Sequence, residues 1–178
     1  MSFDAFMWLE TPNSCPAIEG ETTDATFSAN KAFEIMSFSW GASNPSSVGS
    51  GTIGSGSGKV SLSSFNIMKT TDNCSPSLFL SCCNGGHYGK ATVILRKAGG
   101  DAAATGKEYL KYEFAEVFID SVQWSGSSGG DDRPMESLSV SFGACQVTYS
   151  PQAATGSEGT DNIVAWSVVL NNNTLAVS

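Results

Sequence analysis

The chain has 178 residues, the length of one compact domain, which can bury about 70% of its unfolded surface without metal or disulfide bonds. Charged residues make up only 15% of the chain and glycine contributes 19 residues, a composition that indicates a packed, β-rich protein. The formal net charge of -8 has the wrong sign for phosphates and anionic lipids, so binding to nucleic acid or to a membrane surface is disfavoured.

The N-terminus lacks the features of a secretory signal, because Met1 to Phe6 shows no basic segment followed by an apolar one. No stretch of about 18 apolar residues occurs later, so no membrane-spanning helix and no direct membrane insertion is predicted. We therefore expect a product that is made in the cytoplasm without a cleaved leader.

Short apolar runs with a period of two predict seven strands, which are separated by turn residues. Seven strands at this spacing are typical of a β-sandwich or β-barrel. The predicted strands are Phe3–Glu10, Ala32–Ala42, Lys59–Lys69, Ala91–Lys97, Tyr109–Val122, Ser137–Tyr149 and Ile163–Leu170.

The second predicted strand alternates large apolar side chains with serines. Ser37 and Ser39 are predicted to lie on an uncharged, hydrated face that lacks the Lys and Glu usual on a solvent-exposed strand. Such a face is either ordinary surface or the lining of a passage. Ser139 and Ser141 repeat the alternation. The residues predicted to face the core are Met36, Phe38 and Trp40.

Glycine, serine and other small residues dominate the segment 43–58. Residues 49–54 match G-x-G-x-x-G, but they lead into a strand, whereas a dinucleotide site needs the motif to open a helix. Ordering this segment costs about 1–2 kcal/mol per residue, so it is either a flexible linker or an arm ordered by a partner. The candidate contact residues of this arm are Val48, Gly49, Gly51, Thr52, Ile53, Gly54, Gly56, Gly58 and Lys59.

One segment has the signals of a short helix. Ser75 can act as the N-cap, Pro76 suits the first helical position, and Gly85 suits a left-handed stop. The apolar stripe predicted to pack against the barrel consists of Leu78, Phe79, Cys82 and Cys83.

The five cysteines form an odd set without a C-x-x-C pair, so neither a disulfide framework nor a zinc site is predicted. We expect them to act as small, buried apolar residues. A bridge between Cys74 and Cys145 is an alternative if the product leaves the cell.

Two predicted strands, Tyr109–Ile119 and Ile163–Leu170, are apolar on both faces. A solitary antiparallel barrel has one hydrated face on each strand, so a second apolar face needs cover. One short helix is too small to supply all of it. We therefore expect the chain to associate with copies of itself.

Catalytic patterns are scarce in the sequence. His87 is the single histidine, and neither H-E-x-x-H nor G-x-S-x-G occurs. Glu116 and Asp120 lie near Trp124, but a spacing in sequence does not establish that two carboxylates pair. No catalytic, metal-ligating or cofactor-binding residue is predicted, and an enzyme or small-ligand binder is the least favoured class.

Segments along nearly the whole chain resemble the haemolysin-coregulated protein (Hcp) family of type VI secretion in their order and spacing. The matching segments are 3–6, 18–24, 37–41, 58–60, 75–80, 86–88, 91–93, 96–100, 108–110, 121–123, 136–142, 149–152 and the final segment around Trp166. The loop 11–17, the number of cysteines and the serine content of the arm depart from the family pattern.

The resemblance implies a mainly β protein: one antiparallel barrel of two packed sheets over residues 1–178, with a flanking helix and the arm 43–58. It also implies hexameric rings that stack into a hollow tube, export with sheath and spike proteins without a signal peptide, and small effector proteins carried in the lumen. Ser37 and Ser39 are then candidate lumen residues, and the arm is a candidate contact between subunits or rings. A tail-tube protein of a phage or another contractile particle is the alternative.

Overall fold

The computed structural model describes residues 3–45, 59–97, 106–129, 132–151 and 160–178. These residues contain ten strands, one α-helix and one short 3-10 turn at Ser28–Asn30. The helix α1 is Ser75–Asn84. The strands are β1 Phe3–Asn13, β2 Phe33–Glu34, β3 Ser37–Ser39, β4 Ala42–Ser43, β5 Ser61–Leu62, β6 Phe65–Thr70, β7 His87–Lys97, β8 Glu108–Ser125, β9 Met135–Tyr149 and β10 Asn162–Ser167.

One curled antiparallel sheet carries most of the strands in the order β2-β1-β7-β8-β9-β6-β3, and β10 pairs with β9. Ile35 donates its backbone N–H to Ala5 O at 3.0 Å, and Met36 donates to Met68 O at 2.8 Å. The chain between β2 and β3 is therefore bonded to β1 on one side and to β6 on the other, which curls the sheet around its core. The expected mainly β fold with one flanking helix is confirmed, but one curled sheet curves around the core in place of the expected two packed sheets.

The predicted strand Ala32–Ala42 is broken into β2, β3 and β4, because its partner changes from β1 to β6 and then to β5. The predicted strand Lys59–Lys69 likewise divides into β5 and β6. The last predicted strand ends at Ser167 instead of Leu170, where a backbone bond from Ser167 to Asn172 O begins a turn.

An irregular row crosses four neighbouring strands of the sheet. Strand register on either side places Thr11, Gly89, Glu116 and Gly143 next to one another. Thr11 and Glu116 have φ values of 51° and 53°, and a Cβ on Gly143 would lie 2.8 Å from Glu116 Oε2. A left-handed residue interrupts the alternation of a strand, so even-numbered side chains on one side of it and odd-numbered ones on the other can face the same core. On one side of the row the paired residues Tyr88 and Val117 are buried in this core, and on the other side the paired residues Ala91 and Phe114 are.

A second, smaller core lies on the other side of β1 and β7. It is formed by Phe6, Trp8, Phe27, Ala32 and Ile94. The segment 18–32 thus covers a second apolar face from within the chain. Phe27 packs against both Phe6 and Trp8, and its ring centroid lies 4.6 and 6.1 Å from theirs.

The expectation that two strands expose a second apolar face is wrong for one of them. In β8, Phe114 and Val117 are fully buried, and Tyr112 and Phe118 are half-buried, so the chain itself covers most of both faces. In β10 the expectation is confirmed, because Ile163 and Val164 are 55% and 60% exposed although they point to opposite faces.

Helix α1 starts and stops close to the predicted residues, but its cap differs. The helix begins at Ser75, and Cys74 occupies the cap position with no side-chain cap bond. Asp72 Oδ1 accepts from the Cys74 N–H at 3.0 Å, while Ser75 Oγ accepts from the Asp72 N–H at 3.0 Å. Pro76 lies in the first turn and Gly85 is left-handed with φ 65°, both as predicted.

The predicted apolar stripe of α1 is wrong for two of its four residues, since Phe79 is 49% exposed and Cys83 is also exposed. The buried positions are Ser75, Leu78 and Ser81. The small Ser81 lies at the contact because its hydroxyl is 2.6 Å from the buried Tyr88 hydroxyl.

All five thiols are free, so the alternative of a bridge between Cys74 and Cys145 is not realised. These two cysteines are buried, as expected, and burial raises the pKa of each thiol. Cys15 and Cys82 are partly buried, and Cys83 is exposed, which contradicts the expectation of burial for that residue.

Candidate functional site: a hydroxyl-rich face and two uncharged apolar surfaces

Small polar side chains cover the outer side of the sheet where β3, β6, β9 and β8 lie side by side. Ser39 pairs with Asn66, which in turn pairs with Ser139, and paired residues point to the same side of a sheet. The neighbouring pairs hold apolar residues that face the core. We call this area the hydroxyl-rich face; it consists of Ser37, Ser39, Asn66, Asp120, Ser121, Gln123, Ser137, Ser139 and Ser141.

Hydrogen bonds hold several of these side chains in place. Ser139 Oγ donates to Asn66 Oδ1 at 2.8 Å, and Asn66 Nδ2 donates to Ser64 O at 3.1 Å. The Asp120 carboxylate accepts from Ser141 Oγ at 2.7 Å and from Ser64 Oγ at 3.1 Å. The face is therefore a connected polar surface with fixed hydroxyl groups.

The structure brings together the four serines at positions 37, 39, 139 and 141 that the sequence singled out. Phe38 and Trp40 were predicted to face the core, and both do. The ring centroids of Phe38 and Phe65 are 5.6 Å apart, as are those of Trp40 and Phe114. Met36 does not face the core as predicted, because it is 61% exposed where the chain passes from β1 to β6.

Sequence reasoning missed Asn66 and Asp120 as members of this face. The alternation of buried and exposed residues along β6 was a usable signal for Asn66, since its neighbours Phe65 and Ile67 are buried. Asp120 had no such signal: it lies in a β-bulge, where the register between β8 and β9 shifts between Ile119 and Ser121.

The residues considered for catalysis do not form one site. His87 stacks on Phe118 with ring centroids 5.4 Å apart, and its Nε2 is 3.3 Å from Asn13 Nδ2. Glu116 lies in the irregular row beside Gly143, whereas Asp120 is bonded to serines. Among the described residues, no group of three or more His, Cys, Asp or Glu side chains could hold a metal ion.

Two surfaces of the molecule are both apolar and uncharged. The C-terminal apolar surface is the set of exposed apolar residues on the two faces of β10 and in the turn after it: Ile163, Val164, Val169 and Leu170, each more than a third exposed. The helix apolar surface comprises Phe79, Leu80 and Trp124, with the Phe79 and Trp124 rings 5.5 Å apart. Neither of the segments 75–84 and 162–178 contains a charged residue. Depletion of charge is typical of the buried centre of an interface.

A buried cluster of charged side chains lies beneath the helix apolar surface. Lys69 Nζ contacts Glu136 Oε1 at 2.6 Å and Asp72 Oδ1 at 2.7 Å, and Trp124 Nε1 donates to Glu136 Oε2 at 2.8 Å. Burial acts to lower the pKa of the Lys69 ammonium, but its anionic neighbours outweigh burial and raise it. The cluster fixes Trp124 and the start of α1 in one arrangement.

A second charge cluster lies on β7, β8 and β9. Glu113, with a side chain only 10% exposed, contacts the ammonium groups of Lys90 at 2.7 Å and Lys111 at 3.1 Å. Gln146 Nε2 donates to the same carboxylate at 3.0 Å. Burial acts to raise the pKa of Glu113, but the two lysines outweigh it and hold that pKa below its ordinary value.

The arm predicted at 43–58 lies mostly outside the described residues. Its candidate contact residues from Val48 to Gly58 are not described, whereas Lys59 is described and exposed. None of the helices in the described part of the chain has the length and apolarity needed to span a membrane.

Comparison with known proteins identifies the family. The family model "Type VI secretion system effector, Hcp" matches residues 6–149. Protein hcp1 of Pseudomonas aeruginosa is 38% identical over 100 residues, which span 56% of this chain and 59% of that relative. A solved type six secretion system protein has a TM-score of 0.84 at 28% identity, covering 97% of this chain and 100% of its own. Hcp1 from Salmonella typhimurium has a TM-score of 0.73 at 25% identity, covering 98% of this chain and 100% of its own. The chain belongs to the Hcp family of type VI secretion.

Proposed function

We propose that the chain is a structural subunit of the type VI secretion inner tube. It forms hexameric rings, the rings stack into a hollow tube, and the tube carries small effector proteins in its lumen. The observation that carries the proposal is that a family member presents a connected hydroxyl-rich face together with two uncharged apolar surfaces. The family match favours this reading over a phage tail-tube protein.

A closed ring requires two different complementary surfaces on every subunit, since each copy contacts one neighbour on each side. The C-terminal and helix apolar surfaces are the candidates for these two contacts, because they lie on separate segments and neither includes a charge that would have to be desolvated. Burying a fully exposed Val or Leu side chain contributes about 1.5–3 kcal/mol, and these residues are about half exposed, so a few of them per contact contribute a few kcal/mol.

The hydroxyl-rich face, with Ser37 and Ser39, is proposed to line the lumen. Its hydroxyl and amide groups are polar and hydrated, and the large exposed apolar side chain beside them is Met68. A surface without a large apolar patch suits a wall along which proteins travel. The arm, ending at Lys59, is proposed to contact a neighbouring subunit or ring. Within this proposal the whole chain is one domain, made in the cytoplasm and exported with sheath and spike proteins.

The test of ring formation is the substitution Val164→Glu, which places a charge at an exposed residue of the C-terminal apolar surface. The control is Ser127→Glu, which adds the same charge at an exposed turn. Sizing chromatography and negative-stain microscopy should show rings for the wild type and the control, and smaller species for Val164→Glu. A wild-type protein that stays a monomer at micromolar concentration would refute the tube proposal.

A further inference from the structure

The hydroxyl-rich face contains one carboxylate that is both exposed and fixed. The bulge at Asp120 places its side chain on this face, where Ser141 and Ser64 each donate to one of its two oxygens. The backbone is also anchored, because Asp120 O accepts from the Cys82 thiol of α1 at 3.5 Å. Bulges commonly re-aim a side chain next to a functional surface.

Asp120 has no cationic partner among the ion pairs of the described residues. The lysines and arginines in those pairs contact other acids: Lys31 contacts Glu19, Lys69 contacts Asp72 and Glu136, Lys90 and Lys111 contact Glu113, Arg96 contacts Asp4 and Asp24, and Arg133 contacts Glu21. The two hydroxyl donors leave further acceptor positions on the Asp120 oxygens, since an ionised carboxylate accepts about four hydrogen bonds. A charge fixed in this way attracts cations without losing side-chain entropy when it binds them.

We propose that Asp120 binds lysine or arginine side chains of proteins that lie against the hydroxyl-rich face, so that the face selects partners with a basic surface. Serine, asparagine and glutamine side chains hydrogen-bond to either sign of charge, so the carboxylate alone sets the preference. The inference rests on the proposed function, in which this face lines the lumen. A ring would then repeat the carboxylate on every subunit, and a basic partner could engage several copies at once.

The experiment compares wild-type rings with the variant Asp120→Asn, which keeps the size of the side chain and can bond to both serines if one hydroxyl accepts from the amide NH2, but removes the charge. The matched control is Asp161→Asn, which removes one exposed carboxylate just before β10. The probe is one small carrier protein with either a lysine-rich or a glutamate-rich tag. Binding is measured by fluorescence anisotropy at low and raised salt, and ring formation by sizing chromatography.

Wild-type rings should bind the lysine-tagged carrier more tightly than the glutamate-tagged one. Asp120→Asn should weaken lysine-tag binding about fivefold or more at low salt, with rings intact, whereas Asp161→Asn should not. Equal binding of the lysine tag by wild type and Asp120→Asn would overturn the inference, while the tube proposal would stand. If Asp120→Asn and Lys59→Gln both abolish ring stacking without affecting tag binding, Asp120 pairs with Lys59 of another copy, and the inference is wrong. Absence of rings in the wild type would instead refute the tube proposal.

Discussion

Substitution of Lys69 by methionine tests whether the buried charge cluster stabilises the fold. The side chains of Lys69 and Glu136 are both 0% exposed, and that of Asp72 is 8% exposed. Methionine fills a similar volume but leaves both carboxylates without a counter-ion. Removing one partner of a buried pair costs about 3–5 kcal/mol, because the remaining charge stays desolvated.

This loss is large relative to the free energy of unfolding of a typical domain, about 5–15 kcal/mol. Urea unfolding with a slope of about 1–3 kcal/mol per M would therefore show a midpoint lowered by roughly 1 M or more. Because assembly adds apparent stability, the measurement is made at two protein concentrations. The control is Lys90→Met, because the Lys90 side chain is 41% exposed and its ammonium pairs with Glu113; we expect a loss of about 1 kcal/mol or less.

A second variant separates charge from packing. Adding Glu136→Gln to Lys69→Met removes one uncompensated carboxylate and keeps an acceptor for Trp124 Nε1, which is 2.8 Å from Glu136 Oε2. The double variant should lose less stability than the sum of the two single variants. A loss for Lys69→Met no greater than that for Lys90→Met would refute the argument that desolvated charge dominates here.

Two further predictions concern single positions. The lowered pKa of Glu113 means that its ion pairs stabilise the fold fully above its ordinary pKa of 4.5, and that this contribution is lost as pH falls through the lower pKa of the folded state. The difference in unfolding free energy between wild type and Glu113→Gln should therefore shrink below about pH 4.5 in urea titrations. Gly20→Ala should lower the melting temperature, with a cost of about 1–3 kcal/mol, because a Cβ there would overlap the carbonyl group of Ala32. Gly41→Ala, with nothing within 4 Å of the added Cβ, is its control, and equal melting temperatures would contradict the prediction.

The elements that depend on local chemistry could be predicted from the sequence. Alternating side chains located the long strands, and Pro76 and Gly85 located the helix, because both residues act through their own backbone conformation. The pairing of Ser39 with Asn66 and Ser139 follows from the same alternation once strand order is known. The positions of the strands and the helix need no knowledge of distant contacts, whereas the strand order does.

Features that depend on distant contacts could not be predicted. Segment 18–32 shows no strand or helix period, yet it covers an apolar face of β1 and β7 and reduces the surface left for self-association. Met36 continues an apolar alternation but is exposed, since its backbone switches between two partner strands. Asp120 reaches the hydroxyl-rich face only through a bulge that is invisible in a single sequence.

The irregular row at Thr11, Gly89, Glu116 and Gly143 links the two kinds of surface. On one side of the row, β8 and β9 carry Asp120 and the serines of the hydroxyl-rich face; on the other side, β9 pairs with β10, which carries part of the C-terminal apolar surface. Val168 and Val169 each bond through their backbone N–H to Gly143 O, at 2.8 and 3.3 Å, so the C-terminal turn is attached to the row itself. The row therefore connects the part of the sheet that carries the proposed lumen wall with the turn that carries part of the proposed subunit contact.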